Sequence, residues 1–162
     1  MILRDPVHGL IVFEGAAETV VGRLLETAEV QRLRRICQLG FTSLVFPGAE
    51  HSRFIHSLGT VHVMDRLLQR IRSIQDVLPP QARIDSEIEA DALAAALLHD
   101  LGHGPFSHLF EDVLPGTRSH EKWTTEIIRD PDTGVHRALE RMSRGMPERV
   151  ASLLAGRCPL GY

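Results

Sequence analysis

Cysteine is scarce in this 162-residue chain: Cys37 and Cys158 are the two it has, and neither belongs to a Cys-x-x-Cys pattern. Two such residues cannot supply a disulfide framework or a cysteine-rich zinc site, and their context suits a reducing compartment. No basic segment leading into an apolar core opens the chain, and no apolar stretch approaches the roughly eighteen residues of a membrane helix. An excess of positive charge is missing too. The net charge is −3 with neutral histidines, so no global basic field indicates nucleic acid. Internal repeats, low-complexity tracts and domain linkers are equally absent, which makes a cytoplasmic protein with no membrane partner the expectation, organised as a single domain over residues 1–162. What is present, 43% apolar and 24% charged residues, describes an ordinary globular protein. A domain of this length buries about two-thirds of its unfolded surface.

Hydrophobic periodicity reads as a helical chain behind a short β segment. Pro6 and Gly9 mark a turn before Leu10-Ile11-Val12-Phe13, a pattern that suits a small hairpin or edge strand over residues 2–13. Helical stripes follow over 16–27 and 29–38, broken at Gly40 and Pro47-Gly48, and then over Ser52 to about Arg72. Ser86 with Glu89 three residues later predicts a capping box for an alanine-rich helix ending at His99-Asp100. Its alanines, Ala90 to Ala96 in part, keep it thin enough for neighbours to approach closely. Gly102 then reads as a C-cap and Pro105 as the first residue of a new helix through Phe106, Leu109, Phe110 and Val113. Further helices are expected over His120–Arg129, 135–143 and 147–155, interrupted by Pro131-Asp132-Thr133-Gly134.

The chemistry concentrates in His99-Asp100-Leu101-Gly102-His103-Gly104-Pro105-Phe106-Ser107-His108. Imidazole and carboxylate together are ligands for a borderline or hard divalent metal, which can turn water into a nucleophile near neutral pH. A lone helix-terminal histidine is more often a cap that offsets the helix dipole. The second histidine-bearing segment, Glu50 to Gly59 with His56, shifts the weight toward a metal, because a metal needs ligands from separate elements. His56 and His99 lie 43 residues apart, which suits two antiparallel helices meeting near their ends. Adjacent helical positions point about 100° apart, so His99 and Asp100 reach one ion from its flank, beside a cavity. The arginines Arg32, Arg34 and Arg35 read first as a solvated helix face.

The order His56, then His99-Asp100, resembles the HD superfamily of metal-dependent phosphohydrolases. The surrounding words, Asp5-Pro6-Val7-His8-Gly9, Gln31-Arg32-Leu33-Arg34, Gln38-Leu39-Gly40, Phe46-Pro47-Gly48-Ala49, Arg53 to Gly59 and His99 to His108, resemble the deoxynucleoside triphosphate triphosphohydrolases, collinearly from residue 2 to about 125. The resemblance implies an all-α HD-domain helical bundle with a short N-terminal hairpin or strand. It also implies a divalent metal (Mn, Fe, Zn, Ni or Mg) on His56, His99 and Asp100, a dNTP substrate, a homo-oligomer, and release of triphosphate from a deoxynucleoside. His103 and His120 are assigned to proton transfer, with Glu111, or Asp112 one position on, orienting His120. Arg53 takes the place of an α-phosphate clamp, Gln38 and Leu39 line the sugar and base pocket, and His108 closes it. Gln31, Arg34 and Glu26 resemble part of a nucleotide effector site, although Met1 and Arg4 depart from its pattern. The family's further metal-binding aspartate lies on a downstream helix that these 162 residues do not include; Asp130 and Asp132 fall too early. The expected unit is therefore truncated relative to the family's catalytic unit. Two other readings stay open: a catalytically impaired nucleotide-binding or assembly module, and a phosphodiesterase or nucleotidase acting on another nucleotide.

Overall fold

The computed structural model describes residues 1–156 other than Pro6, Ser107, Leu114, Pro115 and Thr117, and the backbone alone of Gln81, His108, Phe110 and Asp112. Strands β1 (Ile2–Asp5) and β2 (Gly9–Val12) form an antiparallel hairpin in the register Ile2 to Val12. Asp5 closes the turn, its carboxylate accepting from the amides of Val7 and His8 at 2.8 and 2.7 Å. The hairpin buries Ile11 and Phe13 against the helices.

The helices are α1 (Gly15–Leu25), α2 (Ala28–Arg32), α3 (Arg53–Ser73), α4 (Ser86–Leu98), α5 (His108–Val113), α6 (His120–Arg129), α7 (Gly134–Met142) and α8 (Met146–Leu154). The all-α expectation with an N-terminal hairpin holds. In α3, Phe54, Leu58, Val61 and Leu68 repeat at three and four residues and are buried together. Helix α4 is the centre of the bundle: α1, α3 and α8 all pack on it, and Leu93, Ala94, Leu97 and Leu98 have no exposed surface. Each buried leucine contributes about 1.5–3 kcal/mol relative to an exposed one. At its polar end Asp91, 5% exposed, takes a two-pronged bond from Arg149 of α8 at 2.6 and 3.1 Å. That pairing fixes the rotation of α4 and hence the direction of its last residues.

Four local expectations are corrected. The helix expected over 29–38 ends at Arg32 and tightens into a 3-10 turn over Leu33–Arg35, because the backbone of 36–38 is taken by an antiparallel bridge between Cys37 and Ser52. The amides of Arg53 and Gln38 donate there to the carbonyls of Ile36 and His51 at 2.9 and 3.0 Å. Helix α4 is capped by Asp85, which accepts from Glu87 and Ile88 at 2.9 and 2.8 Å, so Ser86 is the first helical residue and forms no capping box. Gly102 is not the C-cap; His99 is. A methyl group at Gly102 would lie 2.2 Å from the His120 carbonyl and 2.4 Å from the Thr124 amide, so glycine is needed there for close packing. No helix begins at Pro105. Phe106 sits at φ 64°, a left-handed conformation that stops helix formation until His108.

Candidate functional site

Helix α3 begins one turn before His56, and α4 ends at His99, so the two elements bring both imidazoles to the same end of the bundle. Their Nε2 atoms lie 3.2 Å apart. The carboxylate of Asp100 closes the group, with Oδ1 3.4 Å from His99 Nε2 and Oδ2 3.8 Å from His56 Nε2. His99 Nδ1 donates to the carbonyl of Ala96 at 2.9 Å, which leaves Nε2 as a lone pair aimed at His56 and Asp100. Two imidazole nitrogens and a carboxylate oxygen converging from two helices match the donor set of a divalent transition metal, and the locked tautomer of His99 fits that use.

Asp100 is 6% exposed, and Oδ2, the oxygen facing His56, accepts from Nη1 of the buried Arg53 at 2.6 Å. Burial alone would disfavour its ionised form. His99, Arg53, His103 and His56 outweigh burial and hold its pKa below the ordinary carboxylate value. Burial lowers the pKa of His56, opposed by Asp100 and reinforced by His99 and Arg53, so its ring is neutral and able to ligate.

A second constellation adjoins the first. His103, 2% exposed, places Nε2 3.5 Å from Asp100 Oδ1, and its ring stacks on that of His120 with centroids 3.8 Å apart and planes 11° from parallel. His120 opens α6, and its Nδ1 meets Glu111 Oε1 at 3.0 Å, while its amide donates to the same oxygen at 2.9 Å. Glu111 of α5 therefore sets both the ring and the backbone of His120. A cleft of about 520 Å³ unites the two groups: Gln38, Leu39, Arg53, His56, Asp100, His103 and His120 line it, joined by Phe41, Phe106 and Leu109. A larger hollow of about 760 Å³ lies between the hairpin and α3, sharing His56 but lined mainly by Val7, Ile55, Val63, Met64 and Leu67. The smaller one carries Arg53, Asp100 and three of the imidazoles.

The structure thus brings together the expected metal, catalytic and substrate residues His56, His99, Asp100, His103, Glu111, His120, Arg53, Gln38 and Leu39; the side chains of His108 and Asp112 lie outside the described residues. Gln31 and Arg34 are engaged locally: Gln31 donates to the Leu25 carbonyl at 2.6 Å, Arg34 donates to Gln31 at 2.7 Å, and the guanidinium covers the ring of Phe54. Glu26 lines a separate cleft with Arg23, Ala138 and Arg141. Asp130 and Asp132 sit in an exposed turn after α6. Two positioning residues escape a reading of the sequence. Arg32 donates to the Leu101 carbonyl at 2.7 Å, serving the turn after the metal pair instead of solvent. Thr124, 1% exposed, accepts from the Gly102 amide at 2.8 Å and reaches the His99 carbonyl at 3.4 Å. A threonine on a helical stripe carries no signal that distinguishes it from filler; the adjacent glycine, which has no positive φ to explain it, is the available clue.

Residues 53–153 match the family model described as the HD domain. The chain is 44% identical over 154 residues to the Bacillus subtilis protein YwfO, covering 95% of this chain and 33% of that one. It is 41% identical over 126 residues to the deoxynucleoside triphosphate triphosphohydrolase SAMHD1 of Bos taurus, covering 77% of this chain and 20% of that one. Among solved structures, a phosphohydrolase from Bacteroides thetaiotaomicron superposes with a TM-score of 0.73 at 33% identity, covering 98% of this chain and 35% of its own. The chain spans about a third or less of the length of these relatives. The match to the HD model over most of the chain, on the elements that carry His56, His99 and Asp100, places this protein in the HD domain family.

Proposed function

We propose that this chain carries the metal and leaving-group half of a phosphohydrolase site acting on deoxynucleoside triphosphates, releasing deoxynucleoside and inorganic triphosphate. The convergence of His56, His99 and Asp100, two of which (His56 and Asp100) line a cleft beside a histidine pair held by a carboxylate, is the observation that supports it. A divalent ion held by those three residues supplies polarisation of a phosphoryl oxygen and a lowered water pKa. The remaining roles belong to the chain's own groups. Arg53 places a fixed positive charge in the cleft wall, suited to phosphate oxygens through its planar fork. His120, oriented through Nδ1 by Glu111, lines the cleft and is suited to protonate a departing sugar oxygen. His103 stacks beneath it and touches Asp100, so the proton donor and the metal carboxylate are one contact apart. Gln38 and Leu39 line the same cleft as sugar and base contacts, and His108 is proposed to close it.

The experiment is product analysis. The protein loaded with Mn²⁺ and given dGTP releases triphosphate as its first product; pyrophosphate first would assign another hydrolase class. Elemental analysis tests the metal separately: the His99→Ala, Asp100→Ala double variant takes up no Mn²⁺, Fe²⁺ or Zn²⁺ where the parent chain does. Equal metal in both would remove the assignment.

A further inference from the structure

The mouth of the cleft carries two aromatic rings that the metal and proton chemistry do not use. Phe41 lies in a 3-10 turn over Gly40–Leu44, and Phe106 in the segment between α4 and α5. Their rings are stacked, centroids 4.9 Å apart and planes at 19°. Yet they are 59% and 51% exposed, so this stack is not a piece of core. A buried stack would be accounted for by packing; an exposed one leaves flat apolar surface in water beside a polar cavity.

The backbone has been arranged to keep it there. Phe106 is the one non-glycine at positive φ among the described residues, at 64°. Gly40, itself at φ 49°, a conformation that favours glycine, lies against its backbone, where an added methyl would be in ordinary contact with the Phe106 Cα at 3.4 Å. A left-handed aromatic and a left-handed glycine packed against it come from segments more than sixty positions apart, and their joint product is the exposed stack. Strain of this kind persists only where the surroundings impose it, and it clusters at ligand sites.

Polarity along the cleft says what ligand would use it. Its inner wall carries the Arg53 cation with the metal-ligating groups, and its outer lip carries two phenyl rings with the half-exposed Leu109. A molecule that satisfies both ends is anionic at one end and flat and aromatic at the other. Building on the phosphohydrolase reading above, we propose that Phe41 and Phe106 form a stacking platform for the nucleobase. Phenyl rings offer a π face and no hydrogen-bond pattern, so the platform selects by ring area: purines bind more tightly than pyrimidines, with adenine and guanine treated alike.

The test separates this from the reading on which it rests. The full chain, in Ca²⁺ to slow turnover, is titrated with 2-aminopurine deoxynucleoside triphosphate, whose fluorescence is quenched on stacking, and separately with inorganic triphosphate by calorimetry. The parent chain quenches the probe. Base–aromatic stacking supplies about 1–3 kcal/mol per base, so Phe41→Ala weakens the nucleotide by roughly 5- to 150-fold and loses the quench, while inorganic triphosphate binds as before. Phe41→Trp restores both signals. Phe106→Gly serves as the second variant, because glycine accepts the positive φ and keeps the fold while removing the ring. Unchanged nucleotide affinity and quench in Phe41→Ala and Phe106→Gly, with triphosphate still bound, overturns the platform and leaves the phosphate site standing. Failure of the parent chain to bind either ligand overturns both.

Discussion

Glu111 and His120 show how much of this site depends on single contacts. One carboxylate oxygen receives both the imidazole Nδ1 and the backbone amide of His120, so removing that side chain loosens the ring and the first turn of α6 together. His120→Ala is expected to keep its metal content and its melting temperature but lose about 10²- to 10⁴-fold in turnover, the usual contribution of a placed proton donor. Glu111→Gln, which can still accept the same two bonds, is expected to retain more activity than His120→Ala; steady-state rates with Mn²⁺ and dGTP decide both. At this scale the sequence was most informative where residue type and chemistry coincide. His56, His99 and Asp100 announce themselves because few structural needs put imidazoles and a carboxylate in register. Arg53 was legible through the resemblance as a phosphate clamp, but not as the partner of Asp100, since the contact joins residues 47 positions apart. Phe41 and Thr124 carry no such label: a phenylalanine or a threonine becomes functional through what it is placed beside.

Helix positions were largely legible from periodicity, and their ends less so. The stripe from His120 predicted α6 to the residue, because Ser119 caps its start and Pro131 follows its end. At α4 two polar residues compete for the cap, and Asp85 takes it because its carboxylate reaches two amides from an extended backbone. Asp85→Ala should therefore cost about 1 kcal/mol in urea denaturation, whereas Ser86→Ala should be near neutral. The start of α5 was misjudged for a different reason. Proline at a first helical position is a local preference, and the left-handed Phe106 immediately after it overrides that preference. Gly102 gives the sharpest element-scale outcome. Gly102→Ala drives a methyl into the His120 carbonyl and the Thr124 amide, so α6 must move away from the turn that carries the metal pair. Both the melting temperature and metal affinity should fall, measured by thermal unfolding and by metal titration, while Gly104→Ala, where nothing lies within 4 Å, leaves both nearly unchanged.

For the whole molecule, acid sensitivity is expected from the junction between hairpin and bundle. Burial, aided by His8 and Arg66 and opposed by Asp65 and Asp5, lowers the pKa of His62, whose Nδ1 has no hydrogen-bond partner among the described residues. The unfolded chain takes up a proton at about pH 6.5 that the folded chain declines, so this contribution is fully present above that pH and is lost as pH falls below it. The melting temperature should drop between about pH 7 and pH 5, and His62→Gln should shrink that drop; an identical slope in the variant would assign the acid sensitivity elsewhere. The contact of Thr124 with Gly102 and His99 carries a consequence in time. Its hydroxyl spans the turn after α4 and belongs to the helix headed by His120, so the turn carrying His99 is expected to open as one unit with α6. In hydrogen exchange the Gly102 amide should open in step with the amides of α6. On the function proposed above, one opening of this unit would release His99 and His120 together, so loss of either group in exchange would be matched by loss of the other.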